Sequence, residues 1–421
     1  MIQTFQIQPG ITLRCFPDHR FKHGCLSVQL VRPMCREEAA MNALLPAVLL
    51  RGTESCPDLR CITLRLDDLY GAAIGTLCRR VGDYQTTGFY ASFTEDRFAM
   101  PGDQILAPTA AFLKELFLEP ALEDGCFRRD YVRSEKKNLI ATIESQLNDK
   151  RAYAMDRLMQ SICRKDTFGL PRLGCKTRVA AIQPQALYDH YRKILRESRI
   201  EMFYVGSAPL DQVKALAEDM FAGVDRSYVN LPDQTDLRRS PFRRSEQQMD
   251  VSQGKLCMGF LTPITFRHPD FAAMQLLNMI LGGDMTSKLF KTLREEKSLC
   301  YAVGSGYHSA KGILAVSAGI DFSMADTVEA GVLEQLEACR RGEISQEELQ
   351  AARESLRSGL LAIHDSPGAI ENYYNTAALS GLILDPDRHM EALEAVTLEK
   401  LQQVASTLEL GGVFFLRGVS Q

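Results

Sequence analysis

The feature that most constrains this chain is that it echoes itself. The segment "AAMNALLPAVLLRG" at 39–52 returns, with a small gap, as "AAMQLLNMILGG" at 272–283. Further on, "LYGAAIGT" from Leu69 is matched by "CYAVGSGY" from Cys300, in the same order and at nearly the same offset of roughly 232 residues. Two ordered matches at one spacing point to duplication of a whole supersecondary unit. Each half reads strand, apolar helix, glycine turn, second helix, strand pair and further helices. The fold class this predicts is α+β: two homologous α/β sandwich domains of about 200 residues, each an antiparallel or mixed sheet covered by helices. The polar, proline-containing stretch "DRSYVNLPDQTDLRRSPFRRSEQQMD" reads as a joint between them, which sets a first domain at 1–225, a linker at 226–250 and a second domain at 251–421. Late in the second half, "SQEEL" at 345–349 is a capping box, with Ser345 at N-cap and Glu348 at N3.

Composition removes several classes of function. The 421 residues carry 49 basic and 53 acidic side chains, so no overall field recruits nucleic acid or anionic lipid. The basic runs "FRRDYVRSEKK" (127–137) and "LRRSPFRR" (237–244) lack interleaved aromatics and read as a solvated helix face and linker. No charge-free apolar stretch approaches the roughly 18–20 residues of a membrane span. The opening "MIQTFQIQPGITL" has no basic segment followed by an apolar one, so no export signal is expected. Twelve cysteines are scattered without a CxxC, which reads as reduced, mostly buried thiols in a cytoplasmic protein.

Few constellations offer chemistry. His19 and His23 in "DHRFKHG" have helical ligand spacing, but Pro17 before them and a strand-like run after them place the pair on a loop or strand. Cys15 lies near His19 with no orienting third group and no oxyanion donors beside it. "LGGDMTSK" at 281–288 lacks phosphate-loop spacing; its glycines end one helix, and Asp284 or Thr286 caps the next. In "LFKTLREEKSLCYAV" (289–303), Arg294 follows an apolar ridge of Leu289, Phe290 and Leu293, and Tyr301 opens the next strand. A guanidinium and a phenol at one helix end offer two strong donors to a peptide carbonyl, although a surface ion pair and a core tyrosine fit the same pattern. The apolar helix "NALLPAVL" poses its own question, because Pro46 removes a backbone donor inside it at a cost of about 3 kcal/mol.

The whole chain resembles the pitrilysin–insulinase family of zinc peptidases in its short, mitochondrial-processing-peptidase-like form. "LLRGT" at 49–53, "FGLPRLGCKTRVAAIQPQALYDHYRK", "LNMILGGDMTSKLFKTLREEKSLCYAVGSG" and "GEISQEELQAARESL" carry the resemblance. It implies that Arg294 and Tyr301 are the family's substrate-binding Arg/Tyr pair. It also implies that the zinc motif HxxEH should stand just before "RGT", where this sequence has Ala43, Pro46 and Ala47. The third ligand, a glutamate on a later helix, falls at Thr142, with Glu144 two residues away. The metal motif is therefore degenerate, this chain is expected to hold no metal, and the proline breaks no ligand geometry.

Some two-subunit members of the family divide the work, one carrying HxxEH and the other only the Arg/Tyr pair. "RGTESCPDLRCITLRLDDLYGA" and "LNDKRAYAMDRL" resemble the YmfF-like inactive-subunit bacterial branch. That likeness implies a non-catalytic subunit that partners an HxxEH-containing sister, with zinc in the partner and Arg294 and Tyr301 supplied in trans to a peptide or protein substrate. It also implies a link to the 5-aminopentanol modification of elongation factor P. Two other readings stay open: a peptide- or protein-binding scaffold of the same fold without proteolysis, and a thiol hydrolase using one of the cysteines.

Overall fold

Two sheets repeat one topology in the computed structural model, which describes residues 2–381 and 385–418. In the first half, β1 (Gln3–Gln8), β2 (Ile11–Pro17), β3 (His23–Pro33), β4 (Ala73–Val81) and β5 (Tyr84–Thr94) precede a short ribbon of β6 (Leu122–Glu123) and β7 (Cys126–Phe127). Strand β8 (Arg199–Gly206) returns to complete a six-stranded sheet in the order β1-β2-β8-β3-β5-β4. The second half builds β9 (Arg243–Met249), β10 (Gly254–Leu261), β11 (Ala302–His308), β12 (Ile313–Ile320) and β13 (Glu409–Gly418) into the order β11-β12-β10-β13-β9. Strands β2, β3, β4, β5 and β8 therefore correspond one for one to β9 through β13. Each set has one parallel pair, β2 with β8 and β13 with β9, and is otherwise antiparallel. The duplicated sheet read from the sequence as antiparallel or mixed is thus present and is mixed, with β1 an addition to the first copy.

Strand β9 lies inside the stretch expected as linker. Its sequence "RRSEQQM" has no apolar alternation, and it holds its place on the sheet edge through backbone pairing with β13. Edge pairing needs only N–H and C=O groups, so hydrophobic periodicity could not reveal it.

Chain contacts divide the molecule into two units that do not follow the two halves. The first unit takes the chain up to residue 144, then 171–234 and 363–379; the second takes 145–170, 235–362 and the C-terminal part. Helix Lys150–Ile162, from the first half, packs Ala154, Leu158 and Ile162 against Cys257, Phe414 and Leu416 of the second sheet. Helix Pro367–Leu379, from the second half, packs Ile370 and Tyr374 against Cys25, Phe203 and Val205 of the first.

That second exchange accounts for the polar residues buried on β3. Glu371, fully buried, accepts from Ser27 Oγ at 2.8 Å and Gln29 Nε2 at 3.0 Å, and pairs with Arg79 at 2.9 Å. A buried carboxylate is tolerable only with such a complement of donors. Elsewhere the capping box forms reciprocally: Ser345 N donates to Glu348 Oε2 at 2.9 Å, and Glu348 N donates to Ser345 Oγ at 3.1 Å.

Candidate functional site

The Arg/Tyr segment lies within the second unit and is built by two short π-helical stretches. Helix Phe271–Asn278 runs into one at Met279–Gly283, and the other is Phe290–Glu296. Wider i→i+5 turns of this kind concentrate at functional sites because they displace side chains from the regular helical register. The first is pressed against β11: a Cβ on Gly282 would stand 2.8 Å from Ser305 Oγ, a distance only glycine permits. Between the two stretches, Asp284 Oδ1 accepts from Thr286 N at 2.7 Å and from Thr286 Oγ1 at 2.6 Å, which closes a turn ahead of the next helix. That helix starts only at Lys288, so neither Asp284 nor Thr286 caps it as the sequence led one to expect. Leu289 and Leu293 of the apolar ridge are fully buried, and the Leu293 side chain fills the space where Gly331 lacks a Cβ.

Arg294 itself is exposed. Its guanidinium lies 4.7 Å over the Phe290 ring, a cation–π contact worth about 0.5–1 kcal/mol at such a site. Among the described residues, Arg294 makes no hydrogen bond or ion pair, so its donors face solvent. The chain then reverses through Ser298, which adopts φ +49°, and Leu299 N closes the turn onto Leu293 O at 2.8 Å.

Tyr301 follows, 53% exposed, with its backbone tied to Gly319 O at 2.8 Å. Its hydroxyl donates to Asp321 Oδ1 at 2.9 Å, and that hydrogen bond raises the phenol above its ordinary pKa. Arg294 and Tyr301 thus stand on either side of one turn, both accessible, with no hydrogen bond between them.

The positions that the resemblance assigns to a degenerate metal motif lie in the first unit, on helix Ala39–Leu49. Pro46 is buried, and Ala43 and Ala47 are half-buried. The structure answers the question the proline raised. Pro46 leaves the Asn42 carbonyl without its helical donor, and Thr87 Oγ1 from β5 donates to that oxygen at 2.6 Å. The same asparagine organises a buried polar network. Its Nδ2 donates to Gln85 Oε1 at 2.9 Å, and His190 Nε2 meets its Oδ1 at 2.7 Å. Burial lowers the His190 pKa to about 4, so the imidazole is neutral near pH 7.

Thr142 and Glu144 share helix Arg129–Ser145. The Thr142 hydroxyl donates to Asn138 O at 3.0 Å, and Glu144 forms a surface ion pair with Lys176. Among the described residues, no three metal-ligating side chains converge. His19 lies exposed in a loop and His23 starts β3, also exposed.

The sequence reading overlooked Asn42, Gln85, Thr87 and His190. A signal existed for His190: with Leu187, Tyr191 and Ile194 it shares the apolar face of helix Pro184–Glu197. The basic run at 127–137 contributes Arg129, Arg133 and Lys136 to an open cavity of about 710 Å³, where Lys136 is already engaged by Ala180 O and Ile182 O. No helix among the described residues is long and apolar enough to cross a membrane.

Comparison with known proteins adds to this geometry. Residues 181–356 match the family described as Peptidase M16 inactive domain. Over 409 residues the chain is 27% identical to the probable inactive metalloprotease YmfF of Bacillus subtilis (strain 168), covering 97% of this chain and 96% of that protein. A conserved protein from Enterococcus faecalis V583 has the same fold at a TM-score of 0.89 and 26% identity, over 100% of this chain and 99% of that one. A peptidase M16 inactive domain from Pseudomonas fluorescens shares the fold at a TM-score of 0.83 and 18% identity, over 100% and 98% of the two chains.

Proposed function

We propose that the chain is an inactive homologue of the M16 peptidase family and serves as the non-catalytic subunit of a heterodimeric zinc peptidase. The homology rests on its match to the M16 inactive domain over residues 181–356 and its likeness to YmfF. The partner in this reading is a sister chain that carries HxxEH and holds the zinc, with both acting in the cytoplasm on a peptide or protein substrate. Arg294 and Tyr301 reach that substrate in trans, binding its backbone and stabilising charge that develops on the scissile carbonyl oxygen. One observation carries the reading. Among the described residues, Arg294 keeps its guanidinium exposed and unpaired beside an exposed tyrosine, while the motif positions Ala43, Pro46 and Ala47 offer no ligand.

The test is hydrolysis of peptides by the chain co-expressed with an HxxEH partner. Arg294→Ala should lower turnover by roughly 10²–10³-fold, the usual effect of removing one oxyanion donor. Unchanged turnover removes the assigned role. The reading extends to a part in the 5-aminopentanol modification of elongation factor P, which only the sequence resemblance implies. Loss of that modification, measured by the mass of elongation factor P after deletion of this chain, is the corresponding check.

A second reading, a non-proteolytic peptide- or protein-binding scaffold, is favoured by the Tyr301 hydroxyl, which is already committed to Asp321. It predicts stable peptide binding without cleavage even when the natural partner is present.

A further inference from the structure

All twelve cysteines are reduced thiols, and seven of them are buried. Two stand apart from the rest by their geometry. Cys56 Sγ and Cys61 Sγ lie 2.7 Å apart, within about 1 Å of the disulfide bond length. We propose that Cys56 and Cys61 form a thiol pair that low-molecular-weight disulfides oxidise to an intramolecular bridge, a redox modification site on the turn that follows the degenerate motif helix.

The backbone on both sides is held in place for this. Thr53 N donates to Cys56 O at 2.8 Å, and Cys56 N donates back to Thr53 Oγ1 at 3.0 Å, closing the turn on which Cys56 sits. Gly52 must be glycine there, since a Cβ would come within 2.7 Å of Pro57 O. Asp58 then caps helix Leu59–Asp68 by accepting from Cys61 N at 2.9 Å, which puts the second thiol on the first helical turn. Hydrogen-bonded turn and capped helix start together keep the two sulfurs facing, so bridging needs little backbone movement.

The two sulfurs are unequal in access. Cys56 is 5% exposed, whereas Cys61 is open enough to meet a small reagent. Cys61 is therefore the entering thiol. As its thiolate it attacks one sulfur of oxidised glutathione, whose S–S bond breaks and releases one glutathione thiolate. Cys56 sulfur then attacks Cys61 Sγ, the mixed disulfide breaks, and the second glutathione leaves. The protons of the two cysteines end on the two glutathione thiols; the protein pair loses two electrons and the small disulfide gains them. The hydrogen bond to Cys56 holds the Cys61 thiol above its ordinary pKa, so exchange quickens as pH rises.

The test uses the full chain, reduced, desalted, exposed to oxidised glutathione, alkylated and digested with trypsin without reduction. Cleavage after Arg51, Arg60 and Arg65 separates "GTESCPDLR" from "CITLR", so a bridge appears as these two peptides linked. The linked pair is the expected product in the wild type. Cys56→Ser should trap glutathione on Cys61, and Cys61→Ser should leave Cys56 unmodified. Recovery of both wild-type peptides separately alkylated, under conditions that glutathionylate the exposed Cys175, overturns the proposal whatever the variants do.

Discussion

Replacing Thr87 with valine tests how a proline is accommodated inside helix Ala39–Leu49. Thr87 is 1% exposed and Asn42 0%, so water cannot reach the Asn42 carbonyl once the hydroxyl is gone. Valine keeps the shape of threonine, which leaves the unmet buried acceptor as the main term, at about 1–3 kcal/mol. For a unit of some 200 residues, each kcal/mol moves the melting temperature by about 2–4 °C. A loss of about 2 kcal/mol therefore lowers Tm by about 4–8 °C, readable by calorimetry on the full chain. The decisive measurement is a double-mutant cycle with Pro46→Ala. That substitution restores a backbone N–H four residues after Asn42, so the carbonyl regains its helical donor. Thr87→Val should then cost less by about 1–2 kcal/mol in the Pro46→Ala background. Equal costs in both backgrounds would falsify the pairing of Thr87 with the orphaned carbonyl.

Acid titration should expose His190. Its pKa falls from 6.5 in the unfolded chain to about 4 when folded, burial being the main cause. The unfolded state binds the proton first, so the stability is fully present above about pH 6.5 and is lost as pH falls toward 4, by ~3 kcal/mol in all. Urea midpoints across that window should show the slope, and His190→Gln should flatten it. Below pH 4.5, Glu38 adds a second loss: its carboxyl is half-buried, yet the Arg32 and Lys193 partners hold it at about 2. In the second unit, Lys311 is fully buried, with Nζ 3.3 Å from Asp166 and 2.8 Å from Thr235 O. Lys311→Met should cost about 3–5 kcal/mol by leaving Asp166 charged in the interior, and an unchanged urea midpoint would contradict that. Ser345→Ala should cost about 1 kcal/mol through loss of the cap, seen as faster amide exchange in the first turn of helix Gln346–Ala362.

In the role proposed for Arg294 and Tyr301, the two side chains start from different positions. Asp321 accepts a hydrogen bond from the Tyr301 hydroxyl, so under that proposal a substrate carbonyl must displace the carboxylate to use it. Arg294 faces no such rival, since its only partner among the described residues is the Phe290 ring. Under the same proposal the arginine is available from the outset, whereas the tyrosine must first exchange one hydrogen bond for another.

The sequence by itself determined much of this protein. The echo of 39–52 at 272–283 foretold two copies of one mixed sheet, because duplicated apolar patterns must bury duplicated faces. Ala43, Pro46 and Ala47 cannot ligate a metal through their side chains, since a methyl group and a pyrrolidine ring have no lone pair to offer wherever they are placed. Ser345 and Glu348 announced a helix start through contacts three residues apart. What the tertiary structure alone decided involves partners distant along the chain. Periodicity showed that helices Lys150–Ile162 and Pro367–Leu379 each bury a face, but nothing local says against which sheet. The donor that meets the Asn42 carbonyl lies on β5, 45 residues away, and it is delivered by strand pairing. Asp321 reaches Tyr301 in the same way, from the end of β12. Local rules act over one turn or one pleat, whereas the closing of buried hydrogen bonds depends on which distant strands become neighbours.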